Sequence, residues 1–140
     1  MILDIIGWSS LPDGLLPKWL WFIGLVSVLN NVQAFSSLSD VRRLYSNKPH
    51  EVTPLSQRTF ALWTFLSSVV RFYGAYHIHV GPIYLIVLWS FVIAWIHFVS
   101  EILIFKASRF EGPIIAPCII TTATVAWMIV QSENYIKYAN

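Results

Sequence analysis

Pro82–Phe105 reads PIYLIVLWSFVIAWIHFVSEILIF. Acidic, basic or histidine side chains interrupt it only at His97 and Glu101, both in its C-terminal half. An α-helix rises about 1.5 Å per residue, so about 20 apolar residues cross a hydrocarbon core about 30 Å thick. This run is long enough to do so. Three more stretches of the same kind lie on either side of it, at Leu16–Phe35, Thr59–Tyr76 and Pro113–Gln131. The four together occupy more than half of the 140 residues. What is left is short tails, a loop at 36–58 and two short connections. The expected fold class is therefore all-α: an integral membrane protein, a four-transmembrane-helix bundle, with 1–140 as a single membrane domain.

Composition points the same way. Hydrophobic residues make up 56% and charged residues 11% of the chain, with a mean hydropathy of +0.64. Globular chains carry about 25% charged residues. So few charges cannot cover a soluble surface. A disordered chain, a coiled coil and a soluble enzyme are excluded. The lone cysteine, Cys118, excludes an intrachain disulfide framework and a thiolate metal site. A dispersed net charge of +2 gives no footprint for nucleic acid.

Proline and glycine punctuate the same boundaries. Leu11-Pro12-Asp13-Gly14 reads as a turn, and Pro17 sits near a helix start. Gly81-Pro82 and Gly112-Pro113 separate the later spans, while Pro117 kinks or fixes the start of the last one. Lys48-Pro49 and Thr53-Pro54 predict an irregular loop. The N-terminus shows no basic region ahead of an apolar core, so the first span is expected to stay as an anchor. Ile2–Trp8 reads equally well as an interfacial segment or a loose tail.

Orientation follows the basic residues. Arg42, Arg43, Lys48, Arg58, Lys106 and Arg109 lie in two loops that share a side. Only Lys18 and Lys137 lie on the other side, and Arg71 is inside a span. The positive-inside rule puts both basic loops in the cytosol and both termini in the lumen.

Each span carries a small or polar stripe at helical spacing. The stripes are Gly24, Ser27, Asn31 and Ala34; Thr64, Ser67, Ser68, Arg71 and Gly74; Ser90, Ala94, His97 and Glu101; and Thr121, Thr124 and Gln131. Lipid offers such groups no partners, so the stripes should face one another. On straight helices Arg71 and Glu101 differ by about 14 Å in depth, which argues against a direct ion pair. Arg71 is close enough to the lumenal end to snorkel there. His97 and Glu101 form an (i, i+4) pair. They share their depth with Asn30, Asn31, Gln33 and Arg58, which predicts an intramembrane polar cluster of these six, with Arg71 as the other intramembrane ionisable group.

The plain reading of the cluster is interhelical hydrogen bonding, at about 0.6 kcal/mol per bond. The sharper reading is acid–base chemistry by His97 and Glu101 on a buried lipid. Too few ligands gather for a metal, because His50, His77 and His79 lie far away in sequence. No phosphate-binding glycine loop or H-E-x-x-H motif occurs, so no cofactor is expected. Trp8, Trp19 and Trp21 fit a lumenal aromatic belt. Trp63, Trp89, Trp95 and Trp127 lie deeper and read as packing, or as a flat surface for a sterol or a partner helix.

Several stretches resemble the ergosterol biosynthetic protein 28 family. They are Leu16-Pro17-Lys18-Trp19-Leu20 with Ser27-Val28-Leu29-Asn30, Ser56-Gln57-Arg58-Thr59-Phe60-Ala61-Leu62-Trp63-Thr64-Phe65, and Val70-Arg71-Phe72-Tyr73-Gly74-Ala75-Tyr76. His97-Phe98 with Ser100-Glu101-Ile102-Leu103-Ile104-Phe105, then Thr121-Thr122 and Ala126-Trp127-Met128, continue it in order. The resemblance implies an endoplasmic reticulum membrane protein with four spans and no activity of its own. Such a protein acts as a scaffold for sterol C-4 demethylation, tethering a C-4 methyl oxidase, a C-3 dehydrogenase/decarboxylase and a 3-keto reductase. The family supplies no catalytic motif to carry over. Tyr135–Asn140 lacks the paired lysines of a retrieval signal.

A scaffold works by effective concentration, keeping intermediates local without new chemistry. Two docking regions are expected. One is the cytosolic loop with Arg42, Arg43 and Lys48, which could meet enzyme domains or anionic head groups. The other is an aromatic, lipid-facing helix surface for partner spans or a second copy. Two alternatives remain open: an intramembrane sterol-modifying enzyme using His97 and Glu101, and a sterol-binding protein sensitive to Trp89 or Trp95. Monomer and homodimer both fit the sequence.

Overall fold

The computed structural model describes residues 7–136, which form helices and turns with no strand among the described residues. The helices are α1 (Leu15–Ser36), α2 (Leu38–Leu44), α3 (Pro54–Tyr76), α4 (Gly81–Leu103), α5 (Ile115–Val130) and α6 (Ser132–Tyr135). Short 3-10 turns lie at Trp8–Ser10, Pro49–Glu51 and Gly112–Ile114. Lys137 and most of Ile2–Trp8 fall outside the described residues.

Local chemistry sets the helix starts. Ahead of α3, the Thr53 hydroxyl accepts from the Ser56 N–H at 3.2 Å, and Ser56 Oγ accepts from the Thr53 N–H at 2.8 Å. This reciprocal cap, with Pro54 next to it, satisfies donors that the first turn would otherwise orphan. The helix therefore begins five residues before the expected Thr59. Its first turn is polar, and hydropathy alone cannot distinguish a polar helical turn from a loop. Pro82 opens α4 and Pro113 opens the turn into α5. Pro117 lies in the first turn of α5, where no intrahelical N–H bond is lost. The loop expected to be irregular contains α2, capped by Ser37 Oγ accepting from the Asp40 N–H at 3.3 Å.

Of the four expected spans, three meet the length and composition of a membrane-crossing helix: Leu15–Ser36, Gly81–Leu103 and Gly112–Val130. Helix α3 is as long as α4, at 23 residues each. It falls short because Gln57, Arg58, Thr64, Ser67, Ser68 and Arg71 dilute its apolar content.

Helices α1 and α3 run antiparallel along their whole length. Gln57 reaches Ala34 and Phe35, Asn31 reaches Ala61 and Thr64, Arg71 reaches Ser27, and Trp21 reaches Tyr76. Helix α3 approaches α4 very closely at Gly74, where an added Cβ would stand 2.1 Å from a Val87 methyl. Helix α5 packs on α4. The largest apolar core sits at one end of the bundle, around Leu16, Leu20, Tyr84, Phe91 and Met128. Smaller cores lie toward the other end, around Val41 and Ala61 and around Phe98 and Ile114.

The stripes read from the sequence do turn inward: Gly24, Ser27, Ala34, Ser67, Ser68, Gly74, Ala94, Thr121 and Thr124 are all buried. The two basic loops meet at one end. Ser108 Oγ donates to the Leu44 carbonyl at 2.8 Å, and the Asn47 N–H donates to the Ala107 carbonyl at 3.0 Å. Both described chain ends lie at the opposite end, where the Leu16 N–H meets Tyr135 Oη and Tyr76 Oη donates to the Gly7 carbonyl.

Candidate functional site

The polar groups inside the bundle form separate centres, not one cluster. Arg71 is buried between α1 and α4 and does not snorkel. Its Nη1 donates to Ser27 Oγ at 2.8 Å, and its guanidinium lies 4.1 Å from the centroid of the Phe91 ring. Ser27 Oγ in turn donates to the Ile23 carbonyl at 2.7 Å, leaving its lone pairs for Arg71. A stacked, desolvated guanidinium gains cation–π energy. Arg71 Nε has no partner. No Arg71–Glu101 ion pair forms among the described residues, as the depth estimate anticipates.

The second centre joins α4 to the loop. His97 Nε2 lies 2.7 Å from Tyr45 Oη, and His97 Nδ1 lies 4.0 Å from Glu101 Oε1. Burial, and then the charge of Glu101, holds the Tyr45 phenol well above its ordinary range. The phenol keeps its proton, and its hydroxyl and the imidazole Nε2 share one hydrogen bond whose donor is set by the His97 tautomer. Trp63 packs its ring edge-on against the imidazole, with centroids 5.1 Å apart. A cavity of about 550 Å³ opens here, lined by Tyr45, Lys48, Glu51, Trp63, His97 and Glu101 among others.

The remaining expected members disperse. Asn31 donates to the Ala61 carbonyl and to Thr64 Oγ1, joining α1 to α3. Gln33 bonds Asp40 at 3.0 Å on the surface. Asn30 and Arg58 are exposed. In the loop, Arg42 Nε donates to the Val52 carbonyl at 3.1 Å and so braces it. Arg43 is exposed beside Asp40 at 3.8 Å, and Lys48 lies at the mouth of the His97 cavity.

Sequence reasoning missed Tyr45 and Gln57. Tyr45 lies in a loop whose fold hydropathy does not reveal. Gln57 donates from Nε2 to the Ala34 and Phe35 carbonyls at 2.8 and 3.1 Å, satisfying the C-terminal end of α1. The Thr-Pro-x-Ser cap just before it is the signal that could have put Gln57 in a helix. Trp89 and Trp95 are exposed, so they line neither cavity.

A second cavity of about 430 Å³ runs between α1, α3, α4 and α5 from Arg71 toward Asp40 and Arg43. No group of three metal-ligating side chains gathers among the described residues. Helices apolar enough to cross a bilayer, polar side chains turned toward one another and aliphatic side chains turned outward define a small helical membrane protein with an internal polar seam. Comparison with known proteins makes the assignment narrower. The family model described as Erg28 like protein matches residues 16–126, and the chain belongs to that family. Ergosterol biosynthetic protein 28 of Saccharomyces cerevisiae is 43% identical over 94% of this chain and 89% of its own length. The Candida albicans protein of that name is 40% identical over 92% of this chain and 96% of its own length. The Homo sapiens homolog is 34% identical over 82% of this chain and 83% of its own length. No solved structure matches the chain.

Proposed function

We propose that this protein is a non-catalytic membrane scaffold of sterol biosynthesis, resident in the endoplasmic reticulum. It tethers a C-4 methyl oxidase, a C-3 dehydrogenase/decarboxylase and a 3-keto reductase at one membrane site. Family membership carries the reading, since the relatives are named for ergosterol biosynthesis. The surface is consistent with it. Leu85, Ile86, Trp89, Ile93 and Ile96 of α4 and Leu62, Phe65 and Leu66 of α3 point outward, offering partner spans or a second copy a broad apolar face. Arg43 and Lys48 stand at the end where the basic loops interlock, suited to cytosolic domains or anionic head groups. In this reading α3 crosses the bilayer beside α1, against which it packs over its full length. Four crossings then leave both termini on the lumenal side.

The test is a mild-detergent pull-down of the tagged protein, with sterol turnover assayed on the eluate and on the isolated chain. The scaffold reading expects co-purifying C-4 enzymes and activity in the eluate alone. One observation favours a second reading: the Tyr45–His97–Glu101 contact faces a cavity, as an acid–base site on a sterol would. Turnover by the isolated chain, lost in His97→Ala and Glu101→Gln at normal protein level, would establish that reading and sink the scaffold.

A further inference from the structure

We propose that the cavity between α1, α3, α4 and α5 binds a lipid carboxylate, held by Arg71. The inference needs only that the bundle lies in a bilayer, so it stands apart from the scaffold reading. At about 430 Å³ the cavity falls within the range of about 300–1,000 Å³ common for small-molecule sites. Its walls are largely apolar, with Ile23, Phe60, Trp63, Phe91, Phe98 and Ile120 among them. Arg71 is the buried cation on its walls; Asn30, Gln33 and Arg43, which also line it, are exposed. The other hydroxyls on its walls each donate to a carbonyl of their own helix: Thr64 to Ala61, Ser67 to Trp63 and Thr121 to Pro117. They have no proton left for a ligand.

Arg71 does have one. Ser27 occupies Nη1 and Phe91 covers one face of the guanidinium, while Nε donates to nothing. Arg71 lines the cavity, and its planar fork of N–H donors suits the two oxygens of a carboxylate. Charge points to the same ligand. Arg71 is buried, and no acidic side chain pairs with it among the described residues. Asp40, which also lines the cavity, is engaged by Gln33 and Arg43. It lies more than a full helical turn from the Ser27 level along α1, because Gln33 holds it. A desolvated cation without a counter-ion is costly, and an anion delivered with an apolar body removes that cost.

The experiment uses the full chain in detergent micelles and a diazirine-bearing palmitic acid as photoprobe. Unlabelled palmitate, methyl palmitate, hexadecanol and the bile acid lithocholate serve as competitors, and adducts are mapped by peptide mass spectrometry. Adducts are expected on cavity-lining peptides, with palmitate competing at concentrations about tenfold or more below the ester or the alcohol, the margin of one charge-assisted pair. Competition by lithocholate as well would mean that the site accepts a ring system, and its failure that the site prefers a chain. Either result supports a carboxylate site. Arg71→Gln should remove the preference for acid over ester. Should that variant not accumulate, the wild-type competition series decides alone. Ala94→Leu, which narrows the cavity and leaves Arg71 in place, should lower labelling by the probe. Equal competition by acid, ester and alcohol, or adducts confined to the outer surface, would overturn the proposal.

Discussion

Helices α3 and α4 have the same length and pack side by side, yet only α4 is apolar enough by composition to cross a bilayer alone. Their outward faces are alike: Leu62, Phe65 and Leu66 on one, Leu85, Ile86 and Ile93 on the other. Their inward faces differ. Helix α4 buries Tyr84, Val87, Phe91 and Phe98, whereas α3 buries Gln57, Ser67, Ser68 and Arg71. A hydropathy average mixes two environments, and only the outer one is lipid. The buried polar groups of α3 are satisfied inside the bundle: α1 accepts from Gln57 and Arg71, and Ser67 and Ser68 donate to carbonyls of α3 itself. A helix can therefore be suited to a membrane in company and look unsuited in isolation.

The contrast can be broken most forcefully at Gly74. Gly74→Leu drives a branched side chain into Val87 and should cost about 3 kcal/mol, at the upper end for overpacking. Fluorescence-detected size-exclusion chromatography should show loss of the monodisperse peak. A normal profile would mean that α3 and α4 do not approach this closely.

A smaller effect is expected at Gln57. Gln57→Leu raises the apolar content of α3 toward that of α4 but strips a donor from the Ala34 and Phe35 carbonyls. The expected loss is about 1–3 kcal/mol, read as a lowered midpoint of thermal unfolding in detergent. A variant as stable as the parent would show that composition, not pairing, governs α3.

The smallest effect belongs to the outer face of α4. Trp89 is 60% exposed, so Trp89→Leu should change stability by less than about 0.5 kcal/mol in the same assay. A clear loss would place a packed partner, such as a second copy, on that face.

Much of this arrangement is legible in the sequence. Apolar runs and Gly-Pro pairs give the long helices, and the small-residue stripes give the seam. The distribution of basic residues foretells that the Arg42–Lys48 and Lys106–Arg109 loops share an end. The polar cluster was not legible as such. Counting residues gives height along a helix but says little about direction, and neighbours differ by about 100° around the axis. Asn30 and Asn31 illustrate this: one lines the cavity with no protein partner among the described residues, and the other bonds Ala61 and Thr64. Arg71 lies on the inward stripe that its spacing predicts, and it bonds Ser27 there instead of reaching out of the bundle. Tyr45 stayed hidden because its position depends on α2 and on the Asn47–Ala107 contact between distant loops.

The prolines at the helix starts limit how the bundle can respond to its membrane. Pro54 and Pro82 open α3 and α4, and Pro113 opens the turn into α5. Winding another turn of helix back past any of them would need an N–H that proline lacks and would force its ring against a carbonyl, at about 3 kcal/mol. These helices therefore cannot recruit loop residues at their N-terminal ends to match a thicker bilayer. They must tilt, or the lipid around them must deform, at a modest cost per ångström of mismatch. A bundle of fixed length is thus tuned to one range of membrane thickness, and its stability should track the acyl-chain length of the lipid in which it is reconstituted.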